Sequence, residues 1–105
     1  MITYLGRSGE VSVTDYGNDQ NKLWKVESNC NNTRIISTLF DIAEGFDFVT
    51  IDGAIYSGLT VLDLMLPNTS FVGFSSASHG FYPGFVLAWQ CHQQGDLKDL
   101  KSSFL

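Results

Sequence analysis

The feature that most constrains this chain is a two-residue alternation of apolar and polar side chains. It recurs in one short segment after another, and each segment is closed by Gly, Asn, Asp or Pro. Side chains of an extended strand point to opposite faces in turn, so such a run buries one face and wets the other. Gly9–Thr14 alternates in this way, and Asp15–Lys22 is a polar loop. Leu23–Glu27 reads as a short strand with Trp24 and Val26 on one face, and Glu27–Thr33 as a second polar loop, carrying Cys30. Thr33–Ile42 is β-branched and mostly alternating until Ala43-Glu44-Gly45 breaks it. Phe46–Ile51 alternates again and closes at the turn dipeptide Asp52-Gly53. Thr60–Leu66 is apolar up to Pro67-Asn68, Ser70–Ser75 is another strand, and Phe85–Trp89 is the last strong one, ending at Cys91. Only the tail departs from this pattern. Leu97 and Leu100 behind Asp96 predict either a short helix or a frayed terminus. Short strands at regular spacing predict an all-β fold, a sandwich or barrel, over residues 1–91, with a tail over 92–105.

A chain of 105 residues is one domain with one modest core. Hydrophobic residues at 44% against 16% charged give it enough apolar surface to fold. The net charge of −5 repels phosphate backbones, so nucleic acid is not expected as a partner. No apolar run approaches the roughly 20 residues of a membrane span, so membrane insertion is not expected either. The start, Met1-Ile2-Thr3-Tyr4, lacks the basic and long apolar regions of a signal peptide. Cys30 and Cys91 fit one disulfide in an oxidising compartment or, alternatively, two buried thiols in a reducing one. Two sequons, Asn31-Asn32-Thr33 and Asn68-Thr69-Ser70, favour the first. The expected location is therefore extracellular, with Asn31 and Asn68 as candidate glycosylation sites.

From Gly9 to Cys91 the chain resembles a CUB domain. The match is densest over Phe40-Asp41-Ile42-Ala43-Glu44-Gly45-Phe46-Asp47-Phe48-Val49-Thr50-Ile51-Asp52-Gly53. That run is similar to the family's strand, acidic turn, aromatic-Asp-aromatic-Val strand and Asp-Gly turn. Phe74-Ser75-Ser76-Ala77 followed by Gly84-Phe85-Val86-Leu87-Ala88-Trp89 is similar to its closing loop and strand. Leu23-Trp24 stands where the family has Cys-Trp. The resemblance implies an antiparallel two-sheet β-sandwich of jelly-roll type. A Cys30–Cys91 bridge would then tie the loop after Trp24 to the final strand. The resemblance also implies a calcium site at one end of the sandwich. Glu44 and Asp47 match two of its acidic ligands and Tyr16 its loop tyrosine, while Ala77 stands where a third acid is expected. Calcium takes six to eight hard oxygens, so losing that carboxylate removes a ligand and a charge together. Glu44 and Asp47 can equally be turn acids that bond backbone amides.

Catalysis is not expected. His79 lies near Ser76 and Ser78, and His92 follows Cys91, with no nucleophile elbow or zinc-ligand spacing around either. Trp24, Phe40, Phe46, Phe48, Phe74, Phe85 and Trp89 fall on strand positions, and most are expected in the core. Tyr56, His79, Phe81 and Tyr82 are the candidate partner-binding residues, because aromatic loop residues are often contact residues. Three functions fit. The first, which the resemblance implies, is an extracellular protein-recognition or oligomerisation module. The second is a self-assembling structural subunit that pairs through open sheet edges. The third is a carbohydrate-binding module with Tyr56, Tyr82 and Trp24 as stacking platforms.

Overall fold

A computed structural model describes residues 1–16, 19–77 and 82–92. The expected helical tail, His79 and Phe81 lie outside these residues. The alternating segments become strands β1 (Ile2–Gly6), β2 (Ser8–Tyr16), β3 (Asn21–Asp41), β4 (Phe48–Ile51), β5 (Ala54–Tyr56), β6 (Asp63–Ser75) and β7 (Tyr82–His92). Hydrogen bonding runs in the order β2-β7-β3-β6-β4-β5, with β1 beside β3. All pairings are antiparallel except β1 with β3, which run parallel from Ile2 opposite Trp24 to Gly6 opposite Ser28.

Strands β3 and β6 run side by side and pass from one layer of the sandwich to the other. The first part of β3 pairs with β1 and the second part with β7, while β6 pairs with both parts. The layers meet through large side chains. Trp24 of β3 meets Phe85 of β7 edge-on at 6.1 Å between ring centres, and Phe74 of β6 meets Phe85 at 5.2 Å. Val26, Val49, Val72, Phe85 and Leu87 are fully buried. This is the all-β antiparallel sandwich expected of the sequence.

Two segments differ from their sequence reading. Glu27–Thr33 is not a loop but the middle of β3, and Pro67-Asn68 does not end a strand but lies inside β6. Both differences have one cause, a bulge. Glu27 faces Thr69 and Asn32 faces Pro67, so residues 28–31 of β3 lie opposite Asn68 alone. The bulge shifts which residues point inward. Buried residues are even-numbered from Trp24 to Cys30, odd at Thr33 and Ile35, and even again at Phe40 after a second register shift between Ser37 and Leu39. A reading that carries one parity through the run takes these shifts for a loop. Proline is tolerated because pairing is already interrupted there, where its missing N–H costs little. The polar residues at the turn of the chain are satisfied locally. Buried Thr33 donates its hydroxyl to Ser28 Oγ at 2.9 Å, and Asn32 Nδ2 donates to the Leu66 carbonyl at 3.2 Å. Strand β1 was not anticipated. Its edge position leaves Ile2 and Leu5 exposed, so no alternation marks it.

Cys30 and Cys91 form the disulfide, with Cα atoms 5.8 Å apart across a separation of 61 residues. It joins the bulged part of β3 to the end of β7. Gly84, the third residue of β7, has φ at +101°, and a side-chain carbon there would lie 1.9 Å from the Val13 carbonyl oxygen. Only glycine fits at this approach of β7 to β2. Closing a loop of this length is worth about 4 kcal/mol on the chain-entropy account. Urea unfolding of a Cys30→Ser, Cys91→Ser variant is expected to show a loss of that order. An unchanged midpoint would mean that the bridge does not constrain the unfolded chain.

Candidate functional site

The most chemically loaded point of the molecule is a carboxylate with no exposure at all, that of Asp47. The turn before β4 aims it inward. Asp47 and Phe46 donate their amides to the Ala43 carbonyl at 2.9 and 3.2 Å, which closes a tight turn over 43–47. Gly45, with φ at +80°, takes the left-handed position in that turn. Asp47, Val49 and Ile51 then share the inward face of the strand that follows.

Among the described residues, groups from three stretches of chain converge on this carboxylate. The hydroxyl of Tyr16, at the end of β2, donates to Oδ2. The amide of Ala77, just past β6, donates to Oδ1 at 2.9 Å, and the amide of Ala43 donates to Oδ2 at 3.4 Å. All three are donors, which matches an ionised carboxylate, an acceptor at both oxygens. Tyr16 is itself buried, edge-on to Phe74 at 4.9 Å and stacked against Tyr82 at 6.5 Å. Burial, and then the hydrogen bond to Asp47, push its phenol pKa well above the usual tyrosine range.

Of the residues matched to a calcium site, the structure brings together Tyr16, Asp47 and the backbone of Ala77. Glu44 does not join them. It is exposed, with its side chain against Gly58, where a Cβ would lie 3.1 Å from Oε1. Among the described residues no group of three or more His, Cys, Asp or Glu side chains comes close enough to hold a metal. Among the described residues this carboxylate meets the Tyr16 hydroxyl and the Ala43 and Ala77 amides, and at Ala77 an amide that donates to it stands in place of an acid, so these described groups do not by themselves make a calcium site.

The turn is also held from outside. Ser57 donates its hydroxyl to the Asp47 carbonyl at 2.7 Å and accepts the Gly45 amide at 3.0 Å. On this fixed turn Phe46 is 63% exposed, which corrects its expected place in the core. Phe48 is half-buried and faces outward as well. The alternation over 46–51 was legible; which face turned inward was not. Asp47 is drawn in, so Val49 and Ile51 go with it and the phenylalanines are left outside. An acid between two aromatics that precedes a Val-x-Ile pair was the available signal.

Phe48 belongs to a larger outward face. Leu23 pairs with Gly73, Gly73 with Thr50, and Thr50 with Ile55, so these share one side of the sheet. Phe71 opposite Lys25 continues it. Leu23 is 48% exposed, Ile55 66% and Phe71 44%. Gly73 has no side chain to fill the surface, and a cavity of about 310 Å³ opens there between Leu23, Phe48 and Thr50. The partner-binding candidates sit differently from expectation. Tyr56 lies in β5 and Tyr82 opens β7, both half-buried and packed against the core. Trp24 is 4% exposed, so it offers no platform for a sugar.

Asp47→Asn would place an amide N–H₂ among donors. It is expected to cost roughly 2–3 kcal/mol in chemical denaturation, the worth of hydrogen bonds to a charged group. A cost near zero would show that the clamp is not what orders this end. Tyr16 also gives a pH signature. Its folded pKa is raised, so its contribution is complete below the unfolded value of about 10 and is lost as pH rises above it. Stability measured above about pH 10 is expected to fall by up to about 1.4 kcal/mol per pH unit from this group. Tyr16→Phe is expected to lack that component, and equal slopes would contradict it.

No protein-family model and no curated protein sequence matches the chain. Solved structures do match it in fold. A crystal structure of the MASP-1 CUB2 domain bound to Ca²⁺ superposes with a TM-score of 0.72 at 13% identity, over 86% of this chain and 97% of that one. The CUB1-EGF-CUB2 domains of rat MASP-1 superpose with a TM-score of 0.75 at 14% identity, over 87% of this chain. The chain spans 42% of that longer protein. The fold is therefore CUB-like.

Proposed function

We propose that this CUB-fold chain is a non-catalytic extracellular module that recognises another protein through the outward face of the β3-β6-β4-β5 sheet. The observation that carries this reading is an apolar face left uncovered: Leu23, Phe48, Ile55 and Phe71 around the Gly73 hollow, with Phe46 exposed on a turn beside it. Exposed large apolar groups in one patch cost solubility and mark contact surfaces. The turn is pre-ordered by Asp47 and Ser57, so little conformational entropy remains to be lost on binding. His79 and Phe81, which follow Ala77 within four residues of sequence, are proposed as further contacts. The disulfide and the relatives' fold support the extracellular assignment.

The test is photo-crosslinking from benzoylphenylalanine placed at Phe46 or Phe71, against a control at exposed Ser12 on β2, in the extracellular fluid of the source tissue. Adducts to a second protein at 46 and 71 but not at 12 are expected. Adducts at 12 alone, or none at any position, would overturn the reading. Light scattering on the same protein separates a foreign partner from a second copy. A concentration-dependent dimer that Phe71→Ser abolishes would shift the reading to self-assembly. Binding on a glycan array would shift it to carbohydrate recognition.

One relative was crystallised with Ca²⁺, which makes calcium the cofactor to test here. We infer that this end of the sandwich is ordered without it, because Tyr16, Ala43 and Ala77 supply the donors that Asp47 needs. The melting temperature is expected to be the same in millimolar calcium and in chelator. A rise with calcium that Asp47→Asn and Glu44→Gln each remove would make these two residues ligands after all.

A further inference from the structure

The two sequons belong to different strands, yet the fold brings their asparagines to one place. Asn31 is the last residue of the β3 bulge, and Asn68 is the single residue of β6 that faces the bulge. Both are exposed. They lie beside Cys30, at the point where β3 and β6 pass between layers. Asn68 is seven residues along β6 from Ser75, which pairs with Phe48 next to the Asp47 turn. At strand rise that is roughly 23 Å.

We propose that the β3–β6 bulge is an N-glycan attachment patch, occupied at one or both of Asn31 and Asn68. The inference rests on the extracellular reading. The donor is a lipid-linked oligosaccharide diphosphate. The asparagine amide nitrogen attacks the anomeric carbon of the sugar, forming a C–N bond. The bond from that carbon to the diphosphate oxygen breaks, the lipid diphosphate leaves with the electron pair, and the amide gives up one proton to a base. The third sequon residue must present its hydroxyl during this step, and the folded chain withholds it. Thr33 and Ser70 are both fully buried; Thr33 donates to Ser28, and Ser70 Oγ is enclosed without a hydrogen-bond partner. Attachment therefore precedes the pairing of β3 with β6. Once folded, Asn31 and Asn68 are both exposed and leave room for the sugars outside. The glycans would cover the bulge, where the register between β3 and β6 is interrupted. The distance along β6 keeps a glycan at Asn68 clear of Phe48.

The experiment expresses the chain behind a cleavable secretion leader in eukaryotic cells and collects both medium and cell lysate. Each fraction is treated with peptide-N-glycosidase in ¹⁸O water, and peptides covering residues 31 and 68 are analysed by mass spectrometry. Heavy-oxygen aspartate at either position is expected, together with a mobility shift that Asn31→Gln, Asn68→Gln abolishes. Unmodified asparagine at both positions in the non-reduced, disulfide-bonded protein would overturn the proposal. That outcome would leave the protein-recognition reading standing. Failure of the chain to leave the cell would instead count against the extracellular assignment, and the lysate would still report the glycans.

Discussion

A carboxylate removed from water must be matched by donors, and in this molecule that requirement falls on Asp47. Its two oxygens take the Tyr16 hydroxyl, the Ala43 amide and the Ala77 amide. Those groups come from the end of β2, the turn before β4 and the exit of β6. Leaving an ion uncompensated in such a site would cost several kcal/mol, so the segments are fixed relative to one another or the end of the sandwich does not form. The same demand selects the face of β4. With Asp47 turned in, Val49 and Ile51 enter the core and Phe46 and Phe48 stay out.

The functional reading follows from that choice of face. A turn and strand carrying Phe46 and Phe48 against Val49 and Ile51 could bury either pair, and burying the phenylalanines would remove more apolar area from water. The fold leaves them outside next to Leu23, Ile55 and Phe71, above a hollow that exists because Gly73 has no side chain. A Cβ at Gly73 would meet Thr50 Oγ1 at 2.7 Å, so a larger residue there would have to displace that side chain. The proposed partner would cover this apolar surface. Order at the Asp47 end keeps the adjoining turn ready for contact.

Much of the architecture was legible from alternation and turn residues. β2, the first half of β3, β4 and β7 lie where the periodicity placed them, the order of motifs pointed to the CUB-like fold, and the pair of cysteines in the chain pointed to the Cys30–Cys91 bridge. The continuity of β3 and β6 was not legible. A bulge reverses side-chain parity, and polar residues that are satisfied by neighbouring hydroxyls look like a loop. The site was half legible. Tyr16, Asp47 and Ala77 were singled out and do converge, but Glu44 points to solvent because Gly45 turns the chain between them. The exposure of Phe46 went unread, since hydrophobicity favours burying an aromatic and only the demand of the neighbouring carboxylate reverses it.

The central claim is that protein donors alone order the Asp47 end. Amide hydrogen exchange at Ala43 and Ala77, followed by NMR in the presence of chelator, tests it most directly. Both amides are predicted to be protected to within a factor of a few of the core strand amides, and adding calcium is predicted to leave their rates unchanged. Exchange near the unprotected rate in chelator, slowed only when calcium is supplied, would contradict the account.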